Sequence, residues 1–403
     1  MPWPLRNWTS SVPIGSGRQV TVISESAAGS CSVRLNSLDW NFADSGTREA
    51  IHDIHPYPAR FIPEIPRELI RLFHPGDDSA VFDPFCGCGT TLVEAVAVGL
   101  PALGVDLNPL AVLISKVKTT RLREPVEPLA QTIVAAAGRK PVTIPAIPRL
   151  DHWFQPNVQL ALARIVHGIG VITDRDIQDA LKVALSRIIV RVSNQDSDTR
   201  YAAVSKRVNE EDVYSLFCRS AADLDVAIAS AYEGLFSVEP RASVIHDDVL
   251  EIRPEALHRR VGLVITSPPY PNAYEYWLYH KYRMYWLGMD PIALRKGEIG
   301  ARPHYFKKDH QTEDDFRSQM STVFRMIGKV LPVGKFACFV VGRSIIHGRE
   351  IDNVELLKAA AQSADHFEFA GSVVRSIASN RKSFNLSHAA IKQETIVVFA
   401  RVE

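Results

Sequence analysis

A short polar and aromatic segment follows a predicted buried strand in the second half of the chain. Residues 261–265 are apolar and rich in β-branched side chains, and they lead, through one threonine, into Ser267-Pro268-Pro269-Tyr270. Two consecutive prolines exclude helix and strand pairing and keep the backbone extended. Open α/β sheets hold their ligands at the carboxyl ends of their strands. A hydroxyl, a proline carbonyl and an aromatic ring at such a place suit a flat substrate with an exocyclic amino group.

A glycine-rich loop lies far upstream and is flanked by two acids. A short predicted strand ends in Asp83, the loop carries Gly87 and Gly89, and the next predicted strand ends in Asp106. Glycines let the backbone approach a ligand, amides at the start of the following helix can hold negative groups, and the second acid can hold both hydroxyls of a ribose. The third glycine of a dinucleotide fingerprint and the lysine of a P-loop are both missing. The loop therefore indicates a nucleoside with an amino-acid-like tail.

The composition limits the classes of protein that can carry these motifs. The chain has 403 residues, an apolar fraction of 46% and a formal net charge of +1, so bulk charge gives no sign of nonspecific nucleic-acid binding. Five scattered cysteines favour a reducing compartment over a disulfide framework. Cys86-x-Cys88 has no second pair at zinc spacing, so we expect no metal. No membrane span or signal pattern is visible, and we expect a soluble, cytoplasmic protein.

An alternation of strands and helices must position the two motifs, and it is interrupted once. We assign residues 46–118 and 240–403 to one α/β catalytic domain. Residues 119–239 carry several helical patterns, and we interpret them as a helical insert and possible target-recognition region. Residues 1–45 contain scattered Ser, Gly and Pro, and we expect an extended N-terminal arm. The predicted helices cover residues 63–73, 92–98, 128–137, 158–169, 177–192, 213–233, 316–331 and 353–362. The predicted strands cover residues 80–83, 101–106, 242–248, 261–265, 335–341, 367–374 and 395–402.

Together, the two motifs resemble those of a known enzyme family. Residues 83–91 are similar to the Phe-x-Gly-x-Gly cofactor motif of the amino-group DNA methyltransferases that use S-adenosylmethionine. Residues 266–270 are similar to their Asp/Asn/Ser-Pro-Pro-Tyr catalytic motif, with the serine that is typical of the N4-cytosine branch. Residues 55–61 resemble the family segment that helps to close over the methionine end of the cofactor. The resemblance covers about residues 46–118 and 240–403.

The resemblance implies a fold, a cofactor and a set of site residues. The fold would be a Rossmann-like methyltransferase sheet, mostly parallel with an antiparallel last strand, and the cofactor would be S-adenosyl-L-methionine. Asp106 matches the ribose-binding acid of the family, and Asp248 matches the acid near the adenine amino group. The cofactor-binding residues would be His55, Tyr57, Asp83, Pro84, Phe85, Gly87, Gly89, Thr90, Thr91, Asp106, Leu107, Asn108 and Asp248, and the catalytic residues Ser267, Pro268, Pro269 and Tyr270. One departure concerns the insert, which precedes the strand that ends at Asp248 and not the catalytic strand.

The chemistry that these residues imply is methyl transfer to a base nitrogen. An aromatic amine is a weak nucleophile because its lone pair is delocalised into the ring. We expect the Ser267 hydroxyl and the Pro268 carbonyl to accept bonds from the amine and Tyr270 to stack on the base, which must leave the helix. Serine is a weak base, so the proton would be lost to water. A 5-methylcytosine mechanism would need a thiolate, and the catalytic loop has no cysteine.

The leading interpretation is a site-specific DNA N4-cytosine methyltransferase. Its partner would be double-stranded DNA with a flipped target base, in a restriction-modification or defence context with cognate restriction or defence proteins. An N6-adenine enzyme is the first alternative, because the same geometry serves either amine. An RNA or tRNA base methyltransferase is a further alternative, although residues 1–45 show no RNA-binding module. A non-catalytic binding module is opposed by the intact catalytic motif.

Several residues have a structural reading beside the functional one. His55 could simply pack, Asp248 could cap a turn, and the aromatic residues between 274 and 286 could form core or a base-stacking surface. A basic run in the insert could be a solvated face, whereas the loop between the last two predicted strands has no acid before Glu394. The candidate nucleic-acid contacts in these two regions are Arg191, Arg200, Arg375, Arg381 and Lys382.

Overall fold

The computed structural model describes most of the chain. The described residues are 27–42, 49–60, 62–76, 78–138, 141–198, 200–236, 241–271, 275–306, 308, 310–377 and 393–402. The strands are β1 (Ala80–Asp83), β2 (Ala102–Asp106), β3 (Gln195–Ser197), β4 (Arg200–Ala203), β5 (Ala242–His246), β6 (Val261–Thr266), β7 (Phe336–Gly342), β8 (Ser344–Ile346), β9 (Arg349–Ile351), β10 (Phe367–Ser376) and β11 (Gln393–Arg401).

The helices are α1 (Ala27–Asn36), α2 (Glu64–Leu72), α3 (Thr90–Ala97), α4 (Pro109–Lys118), α5 (Glu127–Ala136), α6 (Leu150–Trp153), α7 (Pro156–Gly170), α8 (Arg175–Val192), α9 (Glu210–Ser230), α10 (Tyr276–Tyr279), α11 (Lys281–Trp286), α12 (Pro291–Gly297), α13 (Arg302–Tyr305), α14 (Glu313–Val330) and α15 (Asn353–Gln362). Short 3-10 turns cover Ala50–Asp53 and Pro254–Ala256, and a π turn covers Ala231–Leu235. Every helix and strand predicted above has a counterpart, and the bounds differ by a few residues at most.

Seven strands form the central sheet in the order β10-β11-β7-β6-β1-β2-β5. Neighbours from β7 to β5 are parallel, whereas β11 is antiparallel to β7 and to β10. This confirms the expected α/β sheet, mostly parallel with an antiparallel last strand. Strands β1 and β6 are adjacent, with Phe82 level with Val264. The glycine loop and the predicted catalytic loop (residues 266–270) therefore leave the same edge of the sheet side by side.

The central strands are buried on both faces because helices cover both sides of the sheet. Every residue of β1 and β6 is buried. Val81 and Leu263 point into the core that α2 and α3 cover, whereas Phe82 and Val264 point into the core beneath α14 and α15. This alternation is the two-residue period of a strand.

The insert is packed into the body of the protein. It consists of α5 to α9 with the hairpin β3–β4. Its apolar side chains extend the first core, which is the core that α2 and α3 cover, without a break. Ser186 of α8 lies at the boundary, where its hydroxyl is 2.9 Å from the ring of His55 and its carbonyl accepts a bond of 3.1 Å from Arg283. In the part of the chain that the structure describes, no helix combines the length and apolar character needed to cross a membrane.

The prediction of an extended N-terminal arm is wrong for residues 27–36, which form α1. This helix packs on β10: Cys31 and Leu35 are fully buried, and the Ser32 hydroxyl donates a bond of 3.3 Å to the Ala370 carbonyl. The scattered Ser and Gly of α1 give it a low helix propensity, so the sequence does not predict it. Most of its stability comes from packing on the sheet. Residues 1–26 and 43–45 lie outside the described residues.

Several short elements beside the catalytic strand escaped the sequence analysis. Helices α10 to α13 lie between β6 and α14, and the hairpin β8–β9 follows β7. Trp277, Tyr282 and Trp286 are buried in the first core, so these aromatic side chains are core residues. Tyr274 lies outside the described residues.

Candidate active site

A cavity with about 840 Å³ of empty volume opens at the carboxyl ends of the central strands, where the two motifs meet. Of the predicted site residues, its wall includes Tyr57, Pro84, Phe85, Gly87, Thr90, Asp106, Leu107, Asn108, Asp248, Ser267 and Pro269. Further lining residues are Ala59, Arg60, Cys86, Cys88, Val249, Tyr276, Leu294, Gly297, Glu298 and Ile299. The predicted site residues that do not line it are His55, Asp83, Gly89, Thr91, Pro268 and Tyr270. One cavity therefore joins the glycine loop to the catalytic loop.

The glycine loop needs both of its glycines. Gly87 and Gly89 have φ angles of +50° and +81°, in the region that side chains rarely adopt. A Cβ at Gly89 would lie 2.8 Å from the Ser115 Oγ and 3.0 Å from the Ser115 Cα. The same hydroxyl donates a bond of 2.7 Å to the Gly87 carbonyl. The loop is thus pressed onto α4, and α3 begins at the cavity wall with Thr90, where its first amides suit a negative group.

Asp106 lies at the end of β2 and braces the glycine loop. Its Oδ2 accepts a bond of 2.8 Å from the Gly87 amide, and its Oδ1 accepts one of 2.8 Å from the Asn108 amide. Burial raises the pKa of Asp106 to about 6, although these two bonds act in the opposite direction. Each carboxylate oxygen retains a lone pair, so the side chain can still accept bonds from a ligand in the cavity.

The prediction that Asp83 contacts the cofactor needs a correction, because its side chain lies behind the cavity wall. It is buried, and its Oδ1 accepts bonds from the Thr266 hydroxyl at 2.6 Å and the Phe85 amide at 3.1 Å. Its Oδ2 accepts a bond of 2.7 Å from the Thr91 hydroxyl. Burial raises the pKa of Asp83 to about 6 against the effect of these bonds. Asp83 and Thr91 therefore tie β1, β6 and the start of α3 together and hold the loop from behind.

Ser267 is the polar group of the catalytic loop that faces the cavity. Its hydroxyl donates a bond of 3.0 Å to the carbonyl of Val340 in β7. The Tyr270 hydroxyl lies 3.4 Å from the Ser267 oxygen and 3.4 Å from the same carbonyl. Because the one proton of Ser267 is committed to Val340, its oxygen is an acceptor toward the cavity. Pro268 is buried and Pro269 lines the wall.

His55 is a packed histidine and lies outside this cavity. Its Nδ1 is 2.7 Å from the Pro56 carbonyl and must donate to it, so its Nε2 accepts from the Ser186 hydroxyl at 2.9 Å. Burial, followed by the nearby charge of Arg283, holds the pKa of His55 well below its usual value. The ring is therefore neutral, and it joins the segment of residues 49–60, the N-terminal segment, to α8.

Tyr57 contributes a stacked aromatic wall. Its ring lies 5.6 Å from the ring of Tyr276 and 4.9 Å from that of His280, both in stacked geometry. Tyr57 also lies over Gly87, where an added Cβ would be 3.5 Å from the tyrosine ring. These contacts bring the N-terminal segment and α10 together at the glycine loop.

The segment around Glu298 belongs to the site and was missed. Glu298 is buried, and its two carboxylate oxygens accept bonds from the amides of Tyr276 at 2.7 Å and Trp277 at 3.3 Å. Two residues on, Gly300 has a φ of +73°, and an added Cβ would lie 2.5 Å from the Tyr270 carbonyl oxygen. The only signal in the sequence was the run Gly-Glu-Ile-Gly, and no rule of spacing links it to the two motifs.

The predicted nucleic-acid contacts have three different outcomes. Arg191 and Arg200 are exposed on the insert, and Arg191 lines a second, wider cavity together with Arg187, Lys206 and Arg219. The prediction that Arg375 contacts nucleic acid is wrong, because the residue is buried. It donates to Glu394 at 2.5 Å and to the Trp40 carbonyl at 3.0 Å. The prediction rested on a loop with no acid before Glu394, but the pairing of β10 with β11 places Glu394 opposite Arg375. Arg381 and Lys382 lie outside the described residues.

One group of possible metal ligands occurs among the described residues, away from the cavity wall. Ligand atoms of Glu49, His52 and Glu94 lie within 4.8 Å of one another. Arg67 donates to Glu94 at 2.7 Å and to Glu49 at 2.9 Å. The Arg67 guanidinium therefore compensates the negative charge of the Glu49 and Glu94 carboxylates.

Comparison with known proteins gives one family and several relatives. Residues 26–117 match the model of the N6/N4 methyltransferase family, described as DNA methylase. The Type II methyltransferase M.MvaI of Kocuria varians is 28% identical over 262 residues, which cover 59% of this chain and 57% of that protein. The Type II methyltransferase M.BsoBI of Geobacillus stearothermophilus is 21% identical over 279 residues, covering 62% and 55%. M.MjaII of Methanocaldococcus jannaschii, also a Type II methyltransferase, is 38% identical over 87 residues, covering 20% and 16%. The chain thus spans little more than half the length of the first two relatives.

Proposed function

We propose that this chain, a member of the N6/N4 DNA methylase family, transfers a methyl group from S-adenosylmethionine to the exocyclic N4 of cytosine in DNA. The observation that carries the proposal is the position of Ser267. Its oxygen is an acceptor on the wall of the same cavity that holds Asp106 and the glycine loop. A Type II restriction-modification context agrees with the names of the relatives and is part of the proposal.

The groups that line the cavity suit the chemistry of S-adenosylmethionine. The positive φ of Gly87 and the adjacent start of α3 leave a backbone cradle for the methionine carboxylate. The carboxylate of Asp106 would hold the ribose hydroxyls, and Asp248 would accept from the adenine amino group between the apolar walls of Phe85 and Val249. The cofactor supplies a methyl group that its sulfonium has already activated.

The residues of this chain then have three tasks in the transfer. Ser267, on the cavity wall, accepts a hydrogen of the target amine, which favours the tetrahedral nitrogen whose lone pair can react. Pro269 forms a rigid support on the cavity wall beside the base, which must be flipped out of the duplex to enter the cavity, and Tyr270 braces Ser267 from outside that wall. No described group of the loop is a strong base, so the amine proton passes to water after the transfer. Positioning supplies most of the rate.

N6-adenine is the second candidate target, because acceptors at these positions serve the amino group of either base. The experiment that tests the proposal is transfer of radiolabelled methyl groups to DNA and to RNA of mixed sequence, followed by digestion and separation of the nucleosides. Label in N4-methylcytosine is the expected result. Label in N6-methyladenine would move the chain to the other branch, and label only in RNA would overturn the substrate class.

A further inference from the structure

The wall of the active-site cavity carries more acid than base. Among the described residues that line it, the carboxyl groups belong to Asp106, Asp248 and Glu298, and the positively charged residue is Arg60. The Arg60 guanidinium already donates to the carboxylate of Asp53 and to a backbone carbonyl. A cavity with this balance of charge favours a cationic ligand.

Glu298 is held at a fixed place in this wall. Only 7% of the residue is exposed, and each carboxylate oxygen accepts one backbone amide of α10. A Cβ at the neighbouring Gly297 would lie 2.9 Å from a Leu107 methyl carbon and 3.9 Å from an Asp248 carboxylate oxygen. On the other side, Gly300 touches the Tyr270 carbonyl. The Glu298 segment is therefore wedged between the acidic wall at Asp106 and Asp248 and the catalytic loop.

We propose that Glu298 is a cofactor-binding residue that serves as the counter-ion for the positive charge of S-adenosylmethionine. The inference rests on the proposed function and adds to it a residue that neither motif contains. A carboxylate that gives one lone pair of each oxygen to a backbone amide keeps the others for a cation. S-adenosylmethionine has a sulfonium that the product S-adenosylhomocysteine lacks, while both share the adenosine, the ammonium and the carboxylate. Glu298 therefore makes the cavity prefer the substrate form and weakens its hold on the product.

The protonation of Glu298 gives this preference a pH dependence. Burial raises the pKa of Glu298 to about 8, although the two backbone bonds act in the opposite direction. A bound cation favours the ionised form and lowers this pKa, so binding below about pH 8 releases a proton. The preference for S-adenosylmethionine should grow as the pH rises toward 8. Other titratable groups around Glu298 are Tyr57, Arg60, Asp106, Asp248, Glu275 and Tyr276, with the thiols of Cys86 and Cys88.

Calorimetric titration of the full chain with S-adenosylmethionine and with S-adenosylhomocysteine tests the inference. In Glu298→Gln we expect the affinity for S-adenosylmethionine to fall about 10- to 100-fold, the affinity for the product to change by less than about 3-fold, and the excess of protons released with S-adenosylmethionine over the product to disappear. Glu298→Asp retains the charge and should keep most of the preference. The matched control is Glu368→Gln, which removes an exposed carboxyl of the edge strand β10 that does not line the cavity. Its ligand preference should stay near that of the wild type.

Equal losses for both ligands in Glu298→Gln would show that the residue only holds α10, and would overturn the inference. A wild-type protein that releases as many protons with S-adenosylhomocysteine as with S-adenosylmethionine, measured in buffers of different ionisation enthalpy, would also overturn it, because Asp106 can lose a proton to either ligand. This second measurement needs no variant, so it decides the matter even if Glu298→Gln does not fold. Failure of the wild type to bind either ligand would instead contradict the proposed function.

Discussion

The hydroxyl of Ser267 has one proton and two lone pairs, and the neighbouring strand decides how they are used. The Val340 carbonyl takes the proton at 3.0 Å, so the oxygen meets the cavity as an acceptor. A hydroxyl free to rotate would present its proton to a ligand as readily as its lone pairs. The pairing of β6 with β7 therefore sets the polarity of the catalytic group.

Replacing Ser267 with alanine should slow the transfer step about 10- to 1000-fold and leave cofactor affinity unchanged, because the lost acceptor matters most as the nitrogen becomes tetrahedral. Single-turnover kinetics on a duplex that contains the target would measure the step. Ser363→Ala, which removes an exposed hydroxyl at the end of α15, is the control and should keep the wild-type rate. A wild-type rate in Ser267→Ala would remove the serine from the mechanism.

For single residues, the sequence correctly predicts a position at the site when the residue lies next to a strand end. It fails for residues that are buried by a partner distant in the chain. Ser267, Gly87 and Asp106 follow from short motifs, because a motif at the carboxyl end of a parallel strand is already at the site. Asp83 and Arg375 have the predicted chemical type but are buried, each with a hydrogen-bond partner on another strand. Partners that are far apart in the chain are not visible in local spacing.

The elements around the glycine loop are packed so closely that a methyl group matters. Gly89 has both a left-handed backbone and Ser115 of α4 at 3.0 Å or less from the place of a side chain. The same α4 serine holds the Gly87 carbonyl. The position of α4 against α3 thus sets the shape of the cofactor cradle.

Gly89→Ala should therefore destabilise the protein by about 2 to 4 kcal/mol, from the strained φ and the overlap with Ser115. Gly170→Ala is the control, since nothing lies within 4 Å of its added Cβ at the end of α7. There we expect no loss, or a gain of about 0.5 to 1 kcal/mol. Urea unfolding of both variants would measure the difference, and equal midpoints would contradict the packing described for the loop.

Arg283 joins the insert to α11 and should be costly to remove. It is 1% exposed, and it donates to the carboxylate of Asp198 in the insert and to the Ser186 carbonyl. Arg283→Met should lower the free energy of unfolding by about 2 to 4 kcal/mol, because the buried Ser186 carbonyl loses its donor and the half-exposed Asp198 carboxylate loses its partner. Arg187→Met breaks a more exposed pair with Asp223 and should cost less than about 1 kcal/mol in the same denaturant titration. Comparable losses would mean that burial of the guanidinium adds nothing.

Helices with a strong apolar stripe were predictable, whereas elements that depend on their neighbours were not. The stripe of α8 is visible in the sequence and is buried in the structure. Helix α1 and the hairpin β8–β9 are short and weakly patterned. The helix is held by the edge strand β10, and the hairpin turns through two consecutive residues with positive φ, His347 and Gly348.

For the whole molecule, the near-zero net charge requires any DNA surface to be local. Arg191 and Arg200 lie exposed on the insert, and the side chain of Arg200 is 72% accessible. If this side of the insert meets the phosphate backbone, each contact contributes about 0.9 to the slope of log K against log salt.

Changing both Arg191 and Arg200 to alanine should weaken DNA binding and reduce this slope by about one unit per residue. Arg317→Ala, on α14 at the opposite face of the sheet, is the control and should keep the wild-type slope. Fluorescence anisotropy at several salt concentrations would measure both. An unchanged slope in the double variant would remove these arginines from the interface, and the same test applied to Arg381 and Lys382 examines the second predicted region.

The unbroken core between the insert and the sheet has a consequence for engineering. A recognition module on a linker can be exchanged between relatives as a cassette, but here Ser186 alone bonds to both His55 and Arg283, which lie on either side of the insert in the chain. A chimaera that replaces residues 119–239 must also supply matching partners for His55 and for Arg283 of α11, or it destabilises the sheet that carries the candidate site. If the insert is the target-recognition region, as the sequence predicts, new target sequences are better sought by changing its exposed side chains than by grafting.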